Sequence, residues 1–327
     1  MTARSLVCAL SFVLAIAAIA GAAEIDSVTG RESPLADSTD ALERRLNDAL
    51  EAGVARANEG DAVCDEAALY RELRHAFAWP FIGHVIAESL NADETLDSRR
   101  VLRADSIYRD LGILDAVSVH WKDLSAVVRV GDALMGVDKI GHFIVEGWEY
   151  FETAQLEGEG VDEAMGWGEG AEDTYFGRYT TGVRSHADLV ANFEGLRFWL
   201  RVLGAGDDPL DARGWQRRPY VKCGRRLGLF GERRWRLVRK LDLDDYVTPV
   251  WDEAVNCSSY RTEEIQSLVM HRVAELSEAG EMDLTCPVDP QGCADARDRY
   301  GEWAPRLLHP DCLAAQPAER PWWRFWR

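Results

Sequence analysis

The start of the chain decides in which compartment the protein folds. Arg4 precedes an apolar run from Leu6 to Ala20, and small residues continue to Ala23, where Glu24 begins a polar stretch. This order of charge, apolar core and small residues is typical of a secretory signal peptide, cleaved near Ala23. An uncleaved helical anchor is the alternative, but the run is short for a membrane span of about 20 residues. We therefore expect an exported protein, periplasmic or secreted.

The cysteine count supports an oxidising compartment. One of the seven cysteines lies in the apolar run, which leaves an even number for the mature chain. These are Cys64, Cys223, Cys257, Cys286, Cys293 and Cys312. An even count after a signal peptide predicts three disulfides, and the short proline-containing loop between Cys286 and Cys293 favours these two as a local pair. Zinc binding by the thiolates is the alternative, but no C-x2-C spacing supports it.

The overall charge narrows the choice of partners. The formal net charge is -19 at pH 7. Because such a surface repels a phosphate backbone, we expect no nucleic-acid partner. The acidity favours solubility and is compatible with cation binding. After the first apolar run, no stretch of the sequence is long and apolar enough to predict a membrane span.

Hydrophobic periodicity predicts a mostly helical, all-α fold. Leu42, Leu46 and Leu50 recur at helical spacing in a helix that begins near residue 39. Alternating stretches are limited to short candidates at 116–121 and 125–131, enough for one small β-hairpin. Further helices are predicted over about 65–77, 80–91, 98–111, 137–156, 185–203, 248–256 and 261–279.

Composition divides the chain into successive parts. We predict a signal peptide at 1–23, a flexible lead-in at 24–38, a helical domain with a polar site at 39–203, an irregular and helical disulfide-bonded part packed on it at 204–312, and a tail at 313–327. The tail contains Trp322, Trp323 and Trp326 beside arginines, a mixture suited to an anionic membrane surface. Cation–π packing of the tail onto the body of the protein is the alternative.

The candidate site begins on the helix predicted at 137–156. Asp138, His142 and Glu146 are four residues apart and therefore share one helix face. A row of carboxylate, imidazole and carboxylate can hold a divalent metal ion or position a general base. The alternative is a solvated face that lies opposite the apolar stripe of Ile140 and Ile144.

The helix predicted at 185–203 adds a second polar face. Its expected solvent side is marked by Glu194, Arg197 and Arg201, and the polar face consists of Asp188, Asn192, Gly195 and Trp199. Asp188 needs a specific partner there, because burying an unpaired carboxylate is costly. Gly195 would let a helix or a ligand approach closely. The structural alternative is that Ser185 caps the helix, Asp188 completes a capping box and Asn192 bonds within the core.

A glycine-rich loop at 168–177 is expected between these two helices. It carries Glu169, Glu172 and Asp173, and we favour Glu172 as a group aimed into a cleft; an acidic surface turn is the alternative. We also expect His142 to lie close to Asp188 and Glu172, because Asp188 requires a hydrogen-bond donor or a cation.

These three separated segments resemble the YfiM-type lipoproteins and, more distantly, the VanZ-type membrane proteins. The order D-K-x-x-H-F, G-x-x-x-E and S-x-x-D-L-x-x-[D/N]-x-x-G is carried by Asp138, Lys139, His142, Phe143, Gly168, Glu172, Ser185, Asp188, Leu189, Asn192 and Gly195. The similarity covers only about residues 138–195, and Asn192 stands where an aspartate is usual. The resemblance implies one shared polar site formed by the three segments. It implies no reaction, because the biochemistry of the family is not established.

Common enzyme motifs are absent from the sequence. It has no HExxH, no G-x-S-x-G and no phosphate-binding glycine motif before a helix. The sequence therefore predicts an exported envelope protein with a polar site of unassigned role, and the alternative is a metal-assisted hydrolase acting on an envelope component. The candidate catalytic residues are His142, Glu172 and Asp188, and the candidate ligands of a divalent metal ion are Asp138, His142, Glu146 and Asp188. Ser185, Asn192 and Gly195 are candidates for structural roles.

Overall fold

The computed structural model describes residues 24–60, 62–77, 89–174, 177–210, 218–227 and 230–317. The predicted signal peptide and the tail residues Trp322, Trp323 and Trp326 lie outside this part, so signal cleavage and membrane contact stay predictions. Within it, no helix combines the length and the apolar character that crossing a bilayer requires.

The main helices follow the predicted apolar periodicity. Helix α1 (Thr39–Ala57) buries Leu42, Leu46 and Leu50 and packs against α2 (Glu66–Phe77). The helices after them are α3 (Val117–Trp121), α4 (138–156), α5 (Val161–Asp173), α6 (His186–Leu203), α7 (Glu263–Gly280), α8 (Pro290–Tyr300), α9 (Ala304–Leu307) and α10 (Pro310–Ala314). The helices predicted from residue 39 and at 65–77, 137–156, 185–203 and 261–279 are thus confirmed. Most of the one predicted at 80–91 lies outside the described residues.

Helix α4 is not a uniform α-helix. It begins as an α-helix (Asp138–Gly141), passes through a π turn (His142–Glu146), returns to α (Gly147–Phe151) and ends in a second π turn (Glu152–Leu156). Such π turns occur mostly as single insertions in α-helices and often at functional sites. The first one contains two of the three residues in the predicted polar row.

Two predicted helices are wrong. Residues 98–111 form strand β1 (Ser98–Arg99) followed by turns. In this segment the Asp26 side chain binds the backbone: its Oδ2 accepts a hydrogen bond from Ile107 N at 2.9 Å. That N–H group is then not available for a helical hydrogen bond. Of the helix predicted at 248–256, only the 3₁₀ turn Pro249–Trp251 forms.

Five helices in the described residues, α3, α5, α8, α9 and α10, form where no helix was predicted, and α5 and α8 are the longest of them. Helix α5 covers most of the expected glycine-rich loop, and Gly168 within it leaves room for the Tyr150 hydroxyl, which a Cβ atom at this position would overlap. Helix α8 begins with Asp289 as its N-cap and Pro290 in the first turn. This pair is a helix-start signal that the proline content of the region concealed.

Three small antiparallel sheets in the described residues correct the predicted all-α class, and the fold is α+β with a majority of helix. The further strands are β2 (Val127–Val130), β3 (Ala133–Gly136), β4 (Val183–Ser185), β5 (Val221–Leu227), β6 (Phe230–Leu237) and β7 (Ser258–Tyr260). The sheets are β1-β2-β3, β4-β7 and β5-β6. The strand candidate at 125–131 is confirmed as β2, whereas the one at 116–121 forms helix α3.

Three disulfides confirm the prediction from the cysteine count. They join Cys64 to Cys223, Cys257 to Cys286 and Cys293 to Cys312. The expected local pair of Cys286 and Cys293 is wrong, because helix α8 turns Cys293 toward Cys312 on α10, where both are fully buried. Three disulfides are consistent with an extracytoplasmic, oxidising location.

The core is shared by the parts predicted at 39–203 and 204–312. One apolar cluster includes Trp199 from α6 and Trp251 from the later part, both fully buried. In the segment 24–38, expected to be a flexible lead-in, residues 24–28 and Ser38 are buried, whereas most of 32–37 is exposed. There the Glu24 carbonyl accepts a hydrogen bond from Ser125 N at 2.8 Å.

The prediction that one side of α6 faces solvent is wrong, because the three residues expected to mark that side, Glu194, Arg197 and Arg201, are all buried. Glu194 pairs with Arg197 and with Arg299, and Arg197 and Arg201 share the carboxylate of Asp208. Each charge therefore meets an opposite charge, which buried ions require. Helix α6 is enclosed by the protein on every side.

Candidate functional site

A buried lysine lies at the centre of the polar region. Lys139 is fully buried, and its Nζ contacts Asp188 Oδ1 at 2.6 Å, Glu253 Oε1 at 2.7 Å and Asp138 Oδ2 at 2.9 Å. The lysine follows Asp138 at the start of α4, and Asp188 lies in the first turn of α6. One ammonium thus holds three carboxylates from three parts of the chain.

His142 lies beside this group, one helical turn after Asp138. Its Nε2 is 3.2 Å from Asp188 Oδ2, and its Nδ1 is 3.1 Å from Asn192 Oδ1 and 3.8 Å from Glu146 Oε2. Both ring nitrogens therefore face oxygen atoms that accept hydrogen bonds. This arrangement suits a protonated imidazole in the absence of a metal ion.

Two local features of the sequence hold α4 and α6 in this relation. Gly147 and Gly195 lie against each other where the helices cross, and a Cβ atom on Gly195 would overlap the backbone of α4 at Phe143. Gly195 thus serves helix packing and not a ligand. Ser185 is the N-cap of α6: its Oγ accepts from Asp188 N at 3.2 Å and donates to Glu253 Oε1 at 2.8 Å. The cap ties the start of α6 to the lysine cluster.

The buried charges of the cluster strongly shift the pKa values of its titratable side chains. Burial lowers the pKa of His142, but the carboxylates of Asp188 and Glu146 outweigh it and raise the pKa to about 9. Burial raises the pKa of Asp188, but His142 and Lys139 outweigh burial, so that this pKa is lowered overall. Burial and the charge of Asp188 raise the pKa of Glu172 to about 8. At neutral pH, His142 and Glu172 therefore carry protons and Asp188 is ionised.

Three side chains are placed to hold a metal ion. Asp138, His142 and Asp188 each offer one ligand atom, and these atoms all lie within 4.8 Å of one another. Their side chains are 19%, 13% and 10% exposed, so the group is largely buried without being sealed. Asp138 Oδ1 is itself buried and receives no hydrogen bond from the described residues. A cation would satisfy that oxygen, and the donor set of two carboxylates and one imidazole fits a divalent ion.

The structure brings together most of the residues selected from the sequence. Asp138, His142 and Asp188 form one group, Glu146 and Asn192 flank the imidazole, and Ser185 caps α6. Glu172 is buried near the end of α5 and acts electrostatically on His142.

Sequence reasoning missed three groups of the site. Lys139 belongs to the motif but was not selected as a functional residue, and Glu253 and Glu24 were not considered. Burial and the charge of Glu253 raise the pKa of Glu24 well above its ordinary value. The only available signal was the place of Lys139 in the motif, because at helical spacing it falls beside Glu146 and away from the apolar stripe of Ile140 and Ile144.

A second group of metal-ligand type lies elsewhere. Cys257, His309 and Asp311 have ligand atoms within 4.8 Å of one another. However, Cys257 is bonded to Cys286, so it offers no thiolate, and the Asp311 side chain is 68% exposed. We therefore place the candidate site at Asp138, His142 and Asp188.

Comparisons of the chain with protein-family models, with curated proteins and with solved structures found no match.

Proposed function

We propose that this exported protein binds one divalent metal ion through Asp138, His142 and Asp188. The observation that carries the proposal is the cluster of three ligand atoms within 4.8 Å, two from one turn of α4 and one from α6. Imidazole suits Zn²⁺ and similar transition metals, and carboxylate also suits Mn²⁺. Zn²⁺ and Mn²⁺ are therefore the ions to test.

The surroundings of the three ligands support this proposal. Lys139 holds one oxygen of Asp138 and one of Asp188, which leaves the other oxygen of each for a cation. Asn192 and Glu146 face Nδ1 of His142 and would orient the ring while Nε2 binds the ion. The fixed positions of these ligands reduce the conformational cost of binding.

Metal titration of the purified mature protein tests the proposal. We expect saturable binding of Zn²⁺ or Mn²⁺ by calorimetry, and we expect His142→Ala to weaken it at least about tenfold. His271→Ala is the matched control, because His271 also precedes a glutamate by four residues but its side chain is 72% exposed. Equal affinities for the wild type and His142→Ala would contradict the proposal.

A metal-assisted hydrolase is the second candidate, and the raised pKa of Glu172 favours it. Because that pKa is about 8, Glu172 is a buried acid that holds a proton at neutral pH and can exchange it near physiological conditions. For an enzyme, Glu172→Gln should retain metal binding and lose hydrolysis of phosphoester and ester test substrates. No hydrolysis by the metal-loaded wild type would favour the binding role.

The resemblance to the YfiM-type lipoproteins fits a common site but stays a prediction. We infer that the shared motif serves this cation site, because its polar members Asp138, Lys139, His142 and Asp188 contact one another.

A further inference from the structure

Two carboxylates of the site face two different partners. Asp188 directs Oδ1 to Lys139 Nζ at 2.6 Å and Oδ2 to His142 Nε2 at 3.2 Å. Asp138 directs Oδ2 to Lys139 Nζ at 2.9 Å, while its Oδ1 is buried without a hydrogen-bond donor among the described residues. Asp188 therefore lies between the ammonium and the proposed metal position, as a bridging carboxylate does between two metal ions, and Asp138 both contacts the ammonium and belongs to the proposed metal cluster.

We propose that the Lys139 ammonium occupies the second of two adjacent cation positions, so that the site accepts one divalent ion and not two. This inference rests on the proposed function, because the first position is the one formed by Asp138, His142 and Asp188. Lys139 would thereby determine the metal stoichiometry of the site.

The surroundings of Lys139 resemble the coordination of a hard cation. Three carboxylate oxygens lie 2.6 to 2.9 Å from Nζ. Oxygen ligands bind Ca²⁺ at about 2.3–2.6 Å, so a cation in place of the ammonium requires only small movements. The third ligand, Glu253, is itself held, because Ser185 Oγ donates to its Oε1 and Ser258 Oγ to its Oε2.

Lys139 cannot act on a substrate directly, because its side chain has no exposed surface. Its role is therefore to position and neutralise the two shared aspartates. A fixed positive charge does this without depending on the supply of a second metal ion.

Removing the ammonium tests the inference. We expect Lys139→Ser to bind two Mn²⁺ ions per chain where the wild type binds one, measured by equilibrium dialysis with elemental analysis. The paramagnetic resonance signal of the loaded variant should change from that of an isolated Mn²⁺ to that of a coupled pair. The double variant Lys139→Ser/Glu253→Gln should return to one ion, because it lacks the third ligand of the second position only.

The possible results separate this inference from the proposed function. One Mn²⁺ in both the wild type and a folded Lys139→Ser would overturn the inference and leave the function standing. No ion in the wild type would overturn the proposed function and, because the inference rests on it, the inference as well. If Lys139→Ser unfolds without metal, Mn²⁺ should restore a cooperative thermal transition, and failure to do so at millimolar Mn²⁺ would also overturn the inference.

Discussion

Replacing Asp188 with asparagine removes the charge that links the two cations of the site. The carboxylate lies 2.6 Å from Lys139 Nζ and 3.2 Å from His142 Nε2, and its side chain is only 10% exposed. Asparagine keeps the size of the side chain and the backbone N–H that Ser185 caps. The variant therefore tests the charge and changes little else.

The expected loss of stability follows from the titration of His142. A pKa raised from 6.5 to about 9 corresponds to about 3 kcal/mol of interaction with the charged imidazole, shared among several carboxylates. Lys139 keeps Asp138 and Glu253 as charged partners but loses the negative charge of its nearest carboxylate. Breaking a buried ion pair costs about 3–5 kcal/mol. We therefore expect Asp188→Asn to lower the free energy of unfolding by about 3 kcal/mol.

Urea unfolding near pH 6 is the suitable assay, because His142 is charged there in the folded protein. Asp173→Asn is the control: that side chain is 41% exposed, lies 3.5 Å from Arg178 Nε, and should contribute less than about 1 kcal/mol. The pKa of His142, followed by NMR, should fall in Asp188→Asn toward 6.5. An unchanged urea midpoint together with an unchanged pKa would refute this account of the site.

Three further outcomes are expected. The folded pKa values of His142 (about 9, against 6.5) and of Glu172 (about 8, against 4.5) are both raised, so the stabilisation from each group is complete below its unfolded pKa and is lost as the pH rises through its folded pKa. The two groups together should lower the free energy of unfolding between about pH 4.5 and 9, and a flat or rising profile in urea would contradict this. Gly195→Ala should cost about 1–3 kcal/mol, since its Cβ would overlap the Phe143 carbonyl, and an unchanged thermal midpoint would refute the close crossing. Glu194→Gln should cost about 3 kcal/mol in the same urea assay, whereas a surface position would leave the midpoint unchanged.

The sequence predicted the helices in which apolar residues recur at helical spacing. It did not predict the backbone conformation of segments whose N–H groups are bound by distant side chains. Leu42, Leu46 and Leu50 define α1 correctly, because leucines four residues apart share one face of a helix and the charged residues between them fall on the other side. At 98–111 the composition favours a helix, but the Asp26 carboxylate, far away in sequence, binds Ile107 N. A pattern in the sequence around residues 98–111 cannot reveal that contact, because Asp26 lies outside the segment.

The reasoning that selected Asp188 was partly wrong, although its conclusion agrees with the structure. It placed Asp188 away from a solvent side marked by Glu194 and Arg197, and both of these residues are buried. Charge on a helix therefore did not indicate where water lies, because buried ions in this protein pair with each other. The expected proximity of His142 and Asp188 followed from that placement, and the motif order, which does not depend on exposure, supported it separately.

The two buried charge networks of α6 differ in their balance, and this difference supports the choice of site. Around Glu194, Arg197 and Arg299 contact the same carboxylate, so cations are at least as numerous as anions. Around Lys139, three carboxylates contact one ammonium, and within the described ranges the imidazole of His142 is the other positive group in contact with them. A balanced network needs no ligand to persist in a low-dielectric interior, whereas an excess of buried carboxylates must bind protons or a cation. The first network can therefore be explained by stability alone, and the second has a physical reason to bind a metal ion.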